Sequence, residues 1–223
     1  MKLSKRLTQI ERMVTPGYSH IWDCCCDHGH LGAALLSHSG AQIHFVDIVP
    51  ALITELENRL QQHYPDLADN WTTHCLDVAA LPLEQHSSRQ LIIIAGVGGD
   101  LIKQFVSAIQ QTHAGLSLDF LLCPVHHQFA LRQTLIELNF SLKDEALIEE
   151  NHRFYEIILV SADSNAGRPI SPVGDRLWQA HSEEQQGIIQ RYLQTTLNHY
   201  QRMQQGSTVD VSHIIEAYRS VID

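Results

Sequence analysis

Proline and glycine are scarce, 7 and 12 among 223 residues, which excludes collagen-like and low-complexity architectures. No apolar run approaches the eighteen residues of a membrane span, and the opening MKLSKRLTQIERM passes from a basic start into an amphipathic pattern without the apolar core of a secretory signal. A cytoplasmic location is therefore expected. Cysteine is too poorly placed for a disulfide framework: three of the five are consecutive, Cys24, Cys25 and Cys26, and neighbours in an extended chain point to opposite faces. Reduced thiols are expected, with the run read as small buried hydrophobes on a central strand. Positive charge is in deficit, 15 Lys+Arg against 25 Asp+Glu, so a polyanion is repelled unless the cations are gathered locally.

Hydrophobic residues make up 44% of the chain, enough for a sizeable core, and their pattern alternates short apolar runs with helical periods. Strands are predicted at 20–25, 42–47, 71–76, 91–95 and 118–123, with helices between most of them, one begun by Pro50. Such alternation means a parallel sheet with helices on both faces. Segments 141–148 and 154–160 have no helix between them and are predicted to close the sheet as an antiparallel hairpin. A Ser, Asn, Gly and Pro-rich stretch at 161–174 suggests a division into residues 1–164 and a helical extension, 165–223. Beyond it, apolar positions from Leu177 to Met203 and from Val209 to Ile222 read as a helical hairpin with Gly206 near the connection.

Ligands of open parallel sheets collect at the carboxyl ends of the strands. Asp23 and Asp27 follow the first strand, Asp47 the second, Asp77 the third, and Ala95-Gly96-Val97-Gly98-Gly99 the fourth. An acid ending the second strand can hold a ribose diol, and one after the third can meet an adenine amino group. Asp47 and Asp77 also suit ordinary helix caps and turns, and the glycines suit a tight strand-to-helix turn. The first loop lacks the G-x-G-x-x-G pattern that brings a pyrophosphate against the backbone, so an adenosine cofactor without phosphate fits better, and S-adenosylmethionine is the common one. Asp27-His28-Gly29-His30, with His126, His127 and Cys123, invites a metal reading, but H-x-H supplies two ligands at most and histidine is abundant, 15 residues; no metal is expected.

Leu3-Ser4-Lys5-Arg6-Leu7, Asp23-x-x-x-Asp27-His28, Ile94 to Ile102, Pro124, Leu131-Arg132 and Tyr155-Glu156-Ile157-Ile158 together resemble the bacterial tRNA (adenine-22-N1)-methyltransferases of the TrmK type, over residues 2–160 and more loosely into the tail. The resemblance implies an α/β fold, a Rossmann-like class I methyltransferase sheet with a C-terminal helical hairpin, binding S-adenosylmethionine and tRNA. It implies Asp27 and His28 beside the methyl-transfer point as the catalytic pair. The cofactor would lie against Cys25, Cys26, Asp27, Asp47, Ile48, Asp77, Val78, Ala95, Gly96 and Val97. The substrate would meet Lys5, Arg6, Gly98, Gly99, Pro124 and His126. Two positions depart from the family pattern: Cys25 stands where a glycine is usual, and Val125 follows Cys123-Pro124 where Gln-Pro-Asn is usual.

Adenine N1 attacks through an in-plane lone pair, so positioning suffices without a dedicated base, and Asp27 is the acid expected to accept the moving positive charge. Lys2, Lys5, Arg6 and Arg12 against Glu11 give residues 1–22 a net +3, a candidate phosphate-contacting arm. The tail beyond Ser164 has five arginines against six acids, so it suits packing on the domain as well as binding tRNA. A methyltransferase of another substrate and a non-catalytic binding protein of the same fold are the alternatives. No membrane partner is expected, and the chain is expected to be a monomer or weak homodimer.

Overall fold

The computed structural model describes residues 3–86, 88–206 and 209–221. Lys2 of the basic arm, and Ile222 and Asp223 at the tail's end, lie outside them.

In chain order the elements are α1 (Lys5–Met13), β1 (His20–Cys24), α2 (His30–Leu36), β2 (Gln42–Asp47), α3 (Pro50–His63), β3 (Trp71–Cys75), β4 (Gln90–Ala95), α4 (Gly99–Thr112), β5 (Leu118–Cys123), α5 (Gln128–Glu137), β6 (Ser141–Glu150), β7 (Arg153–Ser161), α6 (Glu183–Gly206) and α7 (Ser212–Arg219). The strands form one sheet in the order β3-β2-β1-β4-β5-β7-β6. The first five pair in parallel, and β7 runs antiparallel to both β5 and β6. The expected hairpin thus closes the sheet, with its second strand inserted inward and its first left at the edge. Strand order reverses between β1 and β4, and the crevice that such a reversal opens lies at their carboxyl ends.

Alternation along each strand sorts the core into two layers. Trp22, Val46, Ile92, Ile94, Phe120, Leu122 and Ile158 face α4 and α5 through Ile102, Val106, Leu131 and Leu135. Ile21, Ile43, Phe45, Leu91, Ile93 and Leu121 face α1, α2 and α3 through Ile10, Leu31, Leu35, Leu56 and Leu60. Each fully buried side chain of this size contributes about 1.5–3 kcal/mol, set against the chain entropy lost on ordering it. Among the described residues, no α-helix joins β3 to β4. Two 3-10 turns, Val78–Ala80 and Leu83–Gln85, cross the sheet instead, and Val78, Leu81 and Leu83 fill the core beneath them.

The cysteine run does not stay in the strand. Cys24 ends β1 and is buried, whereas Cys25 and Cys26 lie in the loop beyond and are half-buried; all five thiols are free. Leu177, expected in the helical hairpin, sits in a 3-10 turn at Arg176–Trp178 before it. Residues 165–182 strap back onto the sheet domain. Arg168 bridges Leu142, and Ile170 enters the core.

The tail is locked on by buried charge. Arg132, fully buried on α5, donates to Glu156 and to Glu145 at 2.7 Å each, Glu156 accepts from the Tyr192 hydroxyl on α6, and Glu145 accepts the Asp175 and Arg176 N–H groups. Leu147, Leu177, Ile189 and Tyr192 seal one side of this network, and Phe129, Val173 and Tyr218 the other. Among the described residues no helix is long and apolar enough to cross a membrane.

Candidate functional site

The loop between β1 and α2 turns through three left-handed residues, Cys25 (φ +55°), Asp27 (φ +50°) and Gly29 (φ +62°). Two of these have side chains, which costs roughly 1–2 kcal/mol each, and hydrogen bonds offset the strain. Cys26 N–H donates to the Val46 carbonyl at 3.1 Å, Gly29 N–H to the Cys26 carbonyl at 2.7 Å, and Asp27 N–H to Asp47 Oδ2 at 3.1 Å. The other oxygen of Asp47 accepts the Val49 N–H at 3.0 Å. Asp47 therefore organises two adjoining loops, and its remaining lone pairs are what it can offer a ribose. Behind the loop, α2 rests directly on the sheet: a Cβ on Gly32 would sit 2.3 Å from the Phe45 ring, and the closeness lets Gly32 N–H reach the Asp23 carboxylate at 2.9 Å.

The turn after β4 is tied to the turn after β5. Gly96 (φ +86°) donates to the Cys123 carbonyl, Val125 to Val97 and Gly99 to His126, at 2.9–3.2 Å. A Cβ on Gly99 would lie 2.7–2.8 Å from the carbonyl oxygens of His127 and His126, and one on Gly98 2.4 Å from the His126 ring. Gly98 and Gly99 thus let two loops pack together, a different role from the substrate contact expected of them.

Between these loops, at the ends of β1 and β4, lies a cavity of about 370 Å³. Cys25, Cys26, Asp27 and His28 line one side, Ala95, Gly96 and Val97 the other, Asp23 and Leu31 the floor, and α1 contributes Arg6 and Leu7. Burial pushes the Asp23 carboxyl up to about 7, with the Gly32 N–H pulling the other way. Burial, reinforced by the charges of Asp47, Asp23 and Asp77, pushes the Cys25 thiol to about 11, so it stays protonated. Asp27 and His28 are exposed at the mouth, His28 Nε2 lying 3.6 Å from Asp27 Oδ1. Arg6 is the cation of the cavity. Its guanidinium stacks 4.9 Å from the Tyr155 ring centroid, and its buried Nε has no hydrogen-bond partner.

The predicted residues divide accordingly. Arg6, Cys25, Cys26, Asp27, His28, Ala95, Gly96 and Val97 share the cavity. Asp47, exposed Ile48 and exposed Asp77 lie beside it at the ends of β2 and β3. Val78 is buried in the core and Pro124 is buried behind its loop, so neither side chain is available to a ligand; only main-chain groups could serve there. Lys5 is outside the cavity, its own N–H given to Glu150 at 2.5 Å. Asp23, read from the sequence as a strand-end acid, belongs to the cavity, and so do Leu7, His30 and Leu31, which were not expected to contact a ligand.

His126 lies on a second cleft of about 420 Å³, between the β5–α5 loop, the β6–β7 turn and α6. Tyr155, Tyr192, Tyr200, Arg153, Arg202 and His199 line it. Tyr155 joins the two hollows, since its ring also carries Arg6.

A family model described as a methyltransferase domain matches residues 3–158, which hold the whole parallel sheet and the cavity. The chain belongs to the methyltransferase-domain family. A curated relative, the tRNA (adenine(22)-N(1))-methyltransferase of Bacillus subtilis (strain 168), is 25% identical over 163 residues, which span 73% of this chain and 66% of that protein. The crystal structure of Bacillus subtilis TrmK matches this methyltransferase domain and its tail at a TM-score of 0.74 and 22% identity, covering 100% of this chain and 99% of that one. TrmK from M. capricolum, solved with S-adenosyl-homocysteine, matches at 0.73 and 17%, with coverage of 100% and 99%. The last two likenesses establish the shared fold.

Proposed function

We propose that this methyltransferase transfers the methyl group of S-adenosylmethionine to N1 of an adenine in tRNA. The observation that carries the reading is the cavity at the strand-order reversal, where Arg6, its Nε without a hydrogen-bond partner, shares the lining with Asp23 and Asp27. That charge pattern fits the amino-acid end of the cofactor, an α-carboxylate for Arg6 and cationic centres for the two acids. Asp47 would hold the ribose, Ile48 would pack on the adenine, and Asp77 with the Val78 N–H would meet its polar edge. When bound, the cofactor supplies a methyl group activated on a sulfonium.

The protein's residues supply position and field. Asp27 in the first loop stabilises positive charge where it arrives on the methylated base, and the pre-formed loop holds it there at no cost during reaction. His28, beside Asp27, orients the incoming base by hydrogen bonding. No residue need remove a proton before attack. The tyrosine-lined cleft with Arg153 and Arg202 suits nucleotides stacked out of a helix, which RNA-binding proteins recognise on aromatic and arginine surfaces. Exposed Lys5 and Arg12 on α1 add phosphate contacts despite the overall negative charge. Such an enzyme works in the cytoplasm, beside its substrate.

The test is incubation with labelled cofactor and unmodified bulk tRNA, then digestion to nucleosides, with calorimetry of cofactor binding alongside. Label in 1-methyladenosine is expected. Cofactor binding with tRNA left unlabelled would assign the enzyme to another substrate, and no heat at millimolar cofactor would remove both enzyme readings.

A further inference from the structure

Four histidines far apart in sequence meet on the sheet face that the β3–β4 connection crosses. His20 opens β1, His44 lies in β2, His74 in β3, and His86 in the connection entering β4. His20 Nδ1 is 3.0 Å from His44 Nε2, and His44 Nδ1 is 3.0 Å from His74 Nε2. The rings of His20 and His86 lie 4.0 Å apart, and one ring nitrogen from each of His20, His44 and His86 falls within 4.8 Å of the others. Among the described residues this is the one grouping of three potential ligands so arranged. It is also braced. Trp22 stacks on His44 at 3.9 Å and donates its N–H to Gln90, whose amide in turn donates to the His86 carbonyl at 2.9 Å.

We propose that His20, His44 and His86 bind one borderline divalent transition-metal ion of the zinc type, which pins the β3–β4 connection to the sheet. Three imidazoles with a water in the fourth place are a known zinc ligand set, and bonds of about 2.0–2.1 Å at tetrahedral angles put ligand nitrogens roughly 3.3 Å apart. The His20–His44 pair is already near that spacing, and the half-buried His86 closes the triangle by a small side-chain rotation. A metal-bound histidine usually gives its second nitrogen to an outer partner, and His44 has one in His74. The proton balance closes. With no ion, one proton is shared in the His20 Nδ1···His44 Nε2 contact and one in the His44 Nδ1···His74 Nε2 contact. With the ion, His20 carries its proton on Nε2 and His44 on Nδ1, so binding selects a tautomer and releases no proton. A site of imidazoles alone favours zinc, cobalt, nickel or copper over magnesium and calcium.

Tag-free, chelator-stripped full-length protein titrated with Co(II) should take up one equivalent, show the intense visible bands of tetrahedral coordination, lose them to one equivalent of Zn(II), and melt at a higher temperature with zinc than with chelator. His86→Asn, on a partly exposed connection, should weaken binding at least tenfold, as should His20→Asn, while His38→Asn in the exposed turn after α2 should not. If His20→Asn fails to fold, His86→Asn decides. Absence of a saturable tetrahedral spectrum, or stoichiometric binding that survives His86→Asn, would overturn the proposal and leave a hydrogen-bonded histidine stack.

Discussion

Replacing Asp23 with asparagine removes one ionisation while keeping the side chain's size and an oxygen to accept the Gly32 N–H. Burial raises this carboxyl from 3.8 to about 7. Below pH 4 it is protonated in both native and unfolded chains. Between about pH 4 and 7 the unfolded chain gives up the proton and the native one keeps it, so stability falls as pH rises; above 7 both are ionised and the loss is complete. At 1.36 kcal/mol per unit the loss reaches about 4 kcal/mol. Asp23→Asn escapes it, and for a domain of this size the variant should melt about 10 °C higher at pH 8 yet close to the wild type near pH 4. Cofactor affinity should move the other way, because a cationic ligand favours the ionised acid: wild-type binding should tighten between pH 5.5 and 7.5, and the variant's should be weaker and flat. Scanning fluorimetry across pH 4–8 and calorimetry at both ends test this. Parallel melting profiles for the two proteins would refute the argument.

Arg6→Met should weaken S-adenosylmethionine binding by roughly 10–100-fold, the worth of a hydrogen bond to a charged group, without lowering the melting temperature; calorimetry and fluorimetry together check it. Cys25→Gly should stabilise the protein by about 0.5–1 kcal/mol by relieving a left-handed backbone, and a lower denaturant midpoint would count against that account. Arg132→Met should cost about 3–5 kcal/mol in urea unfolding, because Glu145 and Glu156 would be left buried without their counter-charge.

The parallel sheet was legible because its strands are continuous apolar runs with helical periods between them, and each boundary acid falls where a strand must end. What eluded the sequence depends on contacts between distant segments. The inward insertion of β7 is set by pairing with β5, which no local pattern reports. Val78 and Pro124 look like loop residues by position, yet the connection without a helix folds Val78 into the core and the zipped turns bury Pro124. Cys25 and Cys26 read as strand because their neighbours are apolar, while the left-handed turn at Cys25 follows from the hydrogen bonds of Asp47 and Val46. The histidine grouping is invisible for the same reason: residues 66 positions apart, His20 and His86, converge through the pairing of β1 with β4 and the path of the connection that enters β4.

The bond between Glu156 and Tyr192 has a mechanical meaning. Swinging α6 away from the sheet would break the Tyr192 bond to a buried carboxylate left with Arg132 alone and would expose Ile189 and Tyr192, together several kcal/mol that ordinary thermal motion does not meet. The jaw beside the second cleft is accordingly fixed in width. On the proposed function, a protein that cannot widen makes the nucleic acid yield: the target adenine would leave its stack before it reaches the methyl donor, and loosely paired nucleotides should be better substrates than a sound helix.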